Sequence, residues 1–159
     1  MAENKILYFK GKNVFLSNFY ECTFEYNGIT WESSEAAFQA QKSTNPRTQS
    51  KVSKLSASDS KKACGRRGLR GFQITLRPDW ESVKDNYMYE VLMAKFGQNP
   101  DLAKKLIDTG DAYLEEGTMW HDNYWGNCHC DKCAHIEGKN QLGKTLMRVR
   151  DELKKTVEQ

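Results

Sequence analysis

Cys22-Thr23-Phe24-Glu25-Tyr26-Asn27-Gly28-Ile29-Thr30-Trp31-Glu32-Ser33-Ser34-Glu35-Ala36-Ala37-Phe38-Gln39-Ala40-Gln41-Lys42 decides the fold class, because two strand-like runs give way directly to a helix. Asn27-Gly28 is a strong hairpin signal, since both central positions of a type I′ turn need positive φ. Downstream, Ser33 or Ser34 offers a hydroxyl cap, Glu35 complements the helix dipole in the first turn, and Ala36, Ala37, Phe38 and Ala40 propagate the helix until Asn45-Pro46 ends it.

Working outward, the remaining signals are mostly helical. Lys5-Ile6-Leu7-Tyr8-Phe9 reads as one more strand, with a turn at Gly11-Lys12-Asn13. Ser56 to Asp59 caps a short helix through Lys61 and Lys62. From Trp80 to Phe96 an apolar face recurs every three or four residues, through Trp80, Val83, Tyr87, Val91, Met88, Leu92 and Phe96. Asn99-Pro100 opens another helix, and the last runs from about Asn140 to Lys155 with Leu142, Leu146, Val149 and Leu153 on one side. The expectation is a helix-dominated α+β fold with a small antiparallel β element, one compact domain over 1–159.

Charge is distributed more tellingly than its sum. Net charge is +3, from 24 Lys plus Arg against 21 Asp plus Glu. Between Lys51 and Arg77, however, Lys51, Lys54, Lys61, Lys62, Arg66, Arg67, Arg70 and Arg77 face the single acid Asp59, a stretch suited to a phosphate-bearing partner or to a solvated basic face. The apolar runs are too short to span a membrane. Met1-Ala2-Glu3-Asn4-Lys5 lacks the layout of a secretory leader, so the expected location is the cytoplasm. With reduced thiols expected there, Cys128, Cys130 and Cys133 do not suggest a disulfide framework.

Three stretches interleave aromatic and polar residues: Phe15 to Tyr20, Trp31 to Lys42, and Leu114 to Gly126. On a helix, Glu35, Phe38, Gln39 and Lys42 share one face. An acid and an amine two turns apart suit a pocket; a surface ion pair beside a core Phe is the plainer alternative. In the third stretch Trp120, Tyr124 and Trp125 surround Asp122. Rings of this kind grip planar substrates and a carboxylate moves protons, although an aromatic core loop would look the same.

Taken in order, these segments resemble the NADAR/YbiA-like family. The blocks are Phe15 to Asn18, Ser33 to Lys42, Gly65-Arg66, Trp80, Lys95-Phe96 with Asn99, Leu114 to Gly126, Gly138 to Gly143, Leu146-Met147 and Arg150. Many relatives have His after the helix-opening Glu, where this chain has Ala36. The Cys128–His135 insertion does not come from the family pattern either.

The resemblance implies a YbiA-like domain that cleaves an N-glycosidic bond between ribose C1 and an exocyclic amine on a heterocycle; no cofactor is expected, and no three residues near the proposed pocket suggest an open catalytic metal site. Two substrate types go with it: guanine in nucleic acid carrying ADP-ribose on its amino group, which the basic stretch favours, and a ribosylamino-pyrimidine phosphate of riboflavin biosynthesis. A non-catalytic ADP-ribose binding module is a third alternative, and Glu35, Lys42 and Asp122 together argue against it. Because the bridging nitrogen keeps a hydrogen, the sugar can open to an imine that a lysine amine enters by exchange. Lys42 is the candidate nucleophile, Asp122 the general acid/base, and Glu35 the support, with direct attack by water as the alternative. The helix face of Glu35 and Lys42 is expected to meet Trp120 and Asp122 at one pocket. Candidate substrate contacts are Asn18, Phe19, Phe38 and Arg66 (whose fork matches phosphate), Trp31, Trp120 and Trp125 as pocket walls, and Asn140 with Gly143 where the last helix opens, an amide terminus that can receive an anion or simply be capped. Cys128, Cys130, Cys133 and His135 would crowd four zinc ligands into eight residues, straining a tetrahedron, unless Cys64 or Cys22 replaced one.

Overall fold

A computed structural model describes residues 4–158; residues 1–3 of the N-terminal stretch discussed above lie outside the described residues. In chain order the strands are β1 (Lys5–Ile6), β2 (Glu21–Tyr26), β3 (Ile29–Ser33), β4 (Tyr113–Leu114), β5 (Gly117–Thr118) and β6 (Asn127–Cys128). The helices are α1 (Ser34–Ala40), α2 (Pro46–Val52), α3 (Ala57–Ala63), α4 (Trp80–Gly97), α5 (Pro100–Asp108) and α6 (Gln141–Glu158). Helix dominates and the strands are short, so the fold is α+β. Among the described residues no helix is long and apolar enough to cross a membrane. The chain groups into two units, Asn18–Asn99 and the segments on either side of it.

Within Asn18–Asn99, β2 and β3 form the antiparallel hairpin, with Phe24 opposite Trp31. Asn27 and Gly28 take φ of 53° and 76°, the left-handed pair that the tight turn requires. The core here gathers Phe24, Trp31, Ala36, Ala37, Ala40, Val52, Cys64 and Val91. Small alanines on α1 let the backbones of α2, α3 and α4 come close, and every residue of α1 is buried as a result.

Two local details depart from expectation. Helix α1 stops at Ala40 rather than at Asn45-Pro46, because the amides of Gln41, Lys42 and Ser43 turn back to the carbonyls of Phe38, Gln39 and Ala40 at 3.1 Å, tightening the chain into i→i+3 turns. Asn45 instead opens α2, a helix not anticipated: its Oδ1 accepts from Arg47 N at 2.9 Å and Pro46 takes the first turn.

In the other unit, α5 and α6 pack together and bury Leu102, Leu106, Leu142, Leu146, Val149 and Leu153. The first strand is shorter than expected: β1 ends at Ile6, pairs parallel with β4, and the chain then forms a 3₁₀ turn over Gly11–Leu16. The aromatic-rich stretch holds a second parallel pair, with Gly117 opposite Asn127 and Thr118 opposite Cys128.

Candidate active site

Helix α1 carries the strongest chemistry. Ser33 caps it, its Oγ accepting from Ala36 N at 3.1 Å. Ser34 turns inward and donates to Asn18 Oδ1 at 2.8 Å, while Asn18 Nδ2 reaches Met88 Sδ at 3.6 Å. Asn18, expected as a substrate ligand, therefore spends its amide on tying the preceding loop to α1 and α4. Glu35 and Gln39, one turn apart, are both buried, and Gln39 Nε2 donates to Glu35 Oε1 at 2.9 Å. That bond leaves Gln39 Oε1 buried without a donor among the described residues. An orphaned buried carbonyl costs about 1–3 kcal/mol. Gln39 lay on the expected helix face but carried no expected role. Its signal is burial, which periodicity does not reveal.

Lys42 follows in the turn after α1, half-buried, with Nζ 3.4 Å from the carbonyl of Cys64. Burial lowers its pKa from the ordinary lysine value, against the opposing pull of Cys64 and Glu35. The same burial pushes the Cys64 thiol up to about 11, so at neutral pH the sulfur is protonated. Of the two, the amine is the group brought toward reactivity. Lys42 lines an open cleft of about 400 Å³ with Cys64, Gly65, Arg66, Gln73 and Trp80. Arg66 stands exposed at it, and its backbone carbonyl accepts from Gln73 Nε2 at 2.9 Å.

The aromatic residues divide. Phe38 is buried against Trp80, ring centroids 5.2 Å apart, and Trp80 stacks in turn on Tyr87. Trp31, expected as a pocket wall, is wholly buried in the core, and its indole N–H donates to Tyr26 O at 3.0 Å, so neither face is available for stacking. Phe19 is exposed, with Lys61 Nζ 5.8 Å from its ring centre. A buried cation was not anticipated at all: Lys95 on α4 is fully buried, and desolvation brings its pKa down to about 8, with Cys22 pulling the other way.

Asp122, Trp120 and Trp125 belong to the other unit. Trp120 is exposed, while Trp125 packs edge-on against Tyr124 at 4.9 Å. Asp122 Oδ1 accepts from Tyr124 N at 3.1 Å and Trp125 N at 3.0 Å, a side-chain turn that shapes this loop. Asp122→Ala is expected to cost about 1 kcal/mol of stability and Asp122→Asn, which keeps the acceptor, a few tenths at most; urea unfolding of both variants measures it.

The opening of α6 corrects another expectation. The amides of Asn140, Gln141 and Leu142 are taken by the carbonyls of Gly126, Tyr124 and Trp125 at 3.2, 3.0 and 3.0 Å, so that terminus does not receive an anion. Asn140, fully buried, accepts from Glu116 N at 3.0 Å and donates to Leu114 O at 2.8 Å. Asn140 and Gly143 hold the fold here. Nearby, His121, Cys128, Cys130 and Cys133 place their ligand atoms within 4.8 Å of one another; His135, expected as the imidazole of this group, is exposed and outside it.

Comparison with known proteins places this architecture. The model of the NADAR domain matches residues 7–154. A riboflavin biosynthesis protein of Vibrio vulnificus (strain YJ016) is 40% identical over 139 residues, which make up 87% of this chain and 35% of that protein, so the chain spans about a third of that relative. N-glycosidase YbiA of Escherichia coli (strain K12) is 38% identical over 137 residues, 86% of this chain and 79% of the relative. The NMR structure of the E. coli protein YbiA superposes with a TM-score of 0.81 at 32% identity, covering 100% of this chain and 91% of that one. A match along almost the whole chain, in sequence and in fold, means that the chain belongs to the NADAR domain family, alongside relatives named N-glycosidases.

Proposed function

We propose that this chain is an N-glycosidase that releases ribose C1 from an exocyclic amine through an imine on Lys42, acting on ADP-ribosylated guanine in nucleic acid. The observation that carries the chemistry is the half-buried amine of Lys42, its pKa lowered by burial, at an open cleft and within electrostatic reach of Glu35. A lysine attacks carbon only when neutral, and desolvation is the means by which proteins make it so. The sugar ring opens to an imine with its own nitrogen; Lys42 Nζ adds to C1; the C1–N bond breaks as a proton goes to the departing amine; and water hydrolyses the lysine imine, freeing the sugar and the amine. Glu35, which accepts from Gln39 Nε2 at 2.9 Å, lies within electrostatic reach of Lys42 and supports the proton transfers.

The substrate reading rests on openness and charge. Arg66 at the cleft is exposed, as are Lys61, Lys62, Arg67 and Arg70 close to it in sequence, a basic segment that suits a polyanion. A phosphorylated ribosylamino-pyrimidine is the second reading, supported by the relative named for riboflavin biosynthesis. Guanine-containing DNA bearing ADP-ribose and the pyrimidine intermediate, offered separately to the purified chain, distinguish them. Release of ADP-ribose from DNA is expected; turnover of the pyrimidine alone reverses the assignment, and turnover of neither removes the enzyme reading. In the same assay, a fall of about 10²–10⁴-fold in Asp122→Asn with unchanged stability would give that carboxylate a proton-transfer role.

The pH dependence has a definite sign. Protonated Lys42 is inert, so kcat/KM rises with pH as the amine loses its proton, and the lowered pKa moves that limb below the ~10.4 of an ordinary lysine. A profile flat from pH ~6 to ~9 would remove Lys42 as the titrating nucleophile.

A further inference from the structure

We propose that His121, Cys128, Cys130 and Cys133 bind one zinc ion in a closed structural site. The spacing is that of a tetrahedral shell. His121 Nδ1 lies 3.3 Å from Cys133 Sγ and 3.4 Å from Cys130 Sγ, and all four ligand atoms fall within 4.8 Å of one another. Bonds of ~2.3 Å to sulfur and ~2.0 Å to nitrogen make the edges of such a tetrahedron about 3.5–3.8 Å long. Small ligand shifts then suffice to close the shell on an ion.

Separate pieces of backbone deliver the four ligands. Cys128 ends β6, its amide held by Asn123 Oδ1 at 2.9 Å and its position set by pairing with Thr118. Cys133 comes from a 3₁₀ turn over Asp131–Cys133, whose amide returns to Cys130 O at 3.1 Å, so Cys130 and Cys133 sit on one tight turn. His121 reaches in from the far side of the loop, with φ at 67°. A left-handed histidine is uncommon and persists where its surroundings over-determine it. Here that conformation brings its amide to Cys128 Sγ at 3.3 Å as well as its ring to the other two thiols. This resolves the crowding of four ligands in eight residues, since the imidazole comes from upstream and not from His135.

Three thiolates and an imidazole are a donor set for zinc, and a shell filled by four protein ligands has no open position for a substrate or water. The ion would join the two ends of the His121–Cys128 span, which carries Asp122 and Trp125, and its binding energy would add to the stability of that loop.

The test uses the whole chain, purified under reducing conditions and dialysed against zinc. Elemental analysis should find one zinc per chain in the wild type and in His135→Ala, and less than half of that in His121→Ala and Cys130→Ser. Cobalt exchanged into the wild type should show thiolate charge-transfer and tetrahedral ligand-field absorption, which reads the site without any variant that has to fold. Removing the ion should increase amide exchange between residues 119 and 137 while that of Asn18–Asn99 is unchanged. Wild-type protein that remains metal-free, an octahedral cobalt spectrum, equal loss in His135→Ala, or a disulfide among the three thiols of the reduced protein would each overturn the proposal.

Discussion

Lys42→Ala is expected to abolish both turnover and covalent trapping. If the amine is the nucleophile, its removal should lower kcat by at least about 10³-fold, the scale on which acting groups are lost from covalent catalysts. Borohydride added during wild-type turnover should reduce the imine to a stable secondary amine, which mass spectrometry would locate on Lys42; the variant should give no adduct. Lys42→Arg should fail equally, because a guanidinium stays protonated and cannot add to C1. Stability should change little, since among the described residues the Lys42 side chain makes a single, long hydrogen bond of 3.4 Å to the Cys64 carbonyl and sits in a turn held by backbone hydrogen bonds. Near wild-type cleavage by Lys42→Ala would replace the imine route with direct attack by water and remove the role given to this residue.

Gly143→Ala should be strongly destabilising. A Cβ there would lie 2.0 Å from Leu114 O and 2.4 Å from Asn140 Nδ2. The first obstacle is backbone and cannot rotate away, so α6 would have to move off β4. Moving it also breaks the bonds by which Asn140 joins the helix opening to Leu114 and Glu116. A cost of about 3 kcal/mol or more is expected for overpacking combined with a broken buried bracket. For a chain of this size that corresponds to a fall of about 6–12 °C in melting temperature. A fall smaller than ~2 °C would show that α6 can slide at no great cost.

Much of the architecture was readable locally. Asn27-Gly28 forms the turn its backbone preference demands, Ser33 caps the helix it precedes, and the apolar spacing of α4 and α6 becomes their buried faces. Each is decided within a few residues by steric allowance, hydrogen-bond satisfaction or a helical period. Placing Glu35 and Gln39 one turn apart on α1 needed no more than this.

Partners distant in sequence were decided only on folding. Trp31 looks like a stacking ring until Phe24 and α1 close over it. Asn140 and Gly143 look like an anion-binding helix start, but the carbonyls of Gly126, Tyr124 and Trp125 occupy those amides and Leu114 fills the space a side chain would need. Four closely spaced cysteine and histidine positions suggest His135, yet it is His121 whose backbone turns its ring onto the thiols. Burial makes the chemical difference at the cleft, lowering Lys42 and raising Cys64, and on α1 it leaves Gln39 Oε1 without a donor among the described residues. Residue types and spacings set which groups are available; desolvation and long-range hydrogen bonding, which exist only once the chain has packed, set which of them can react, bind or only hold the fold together.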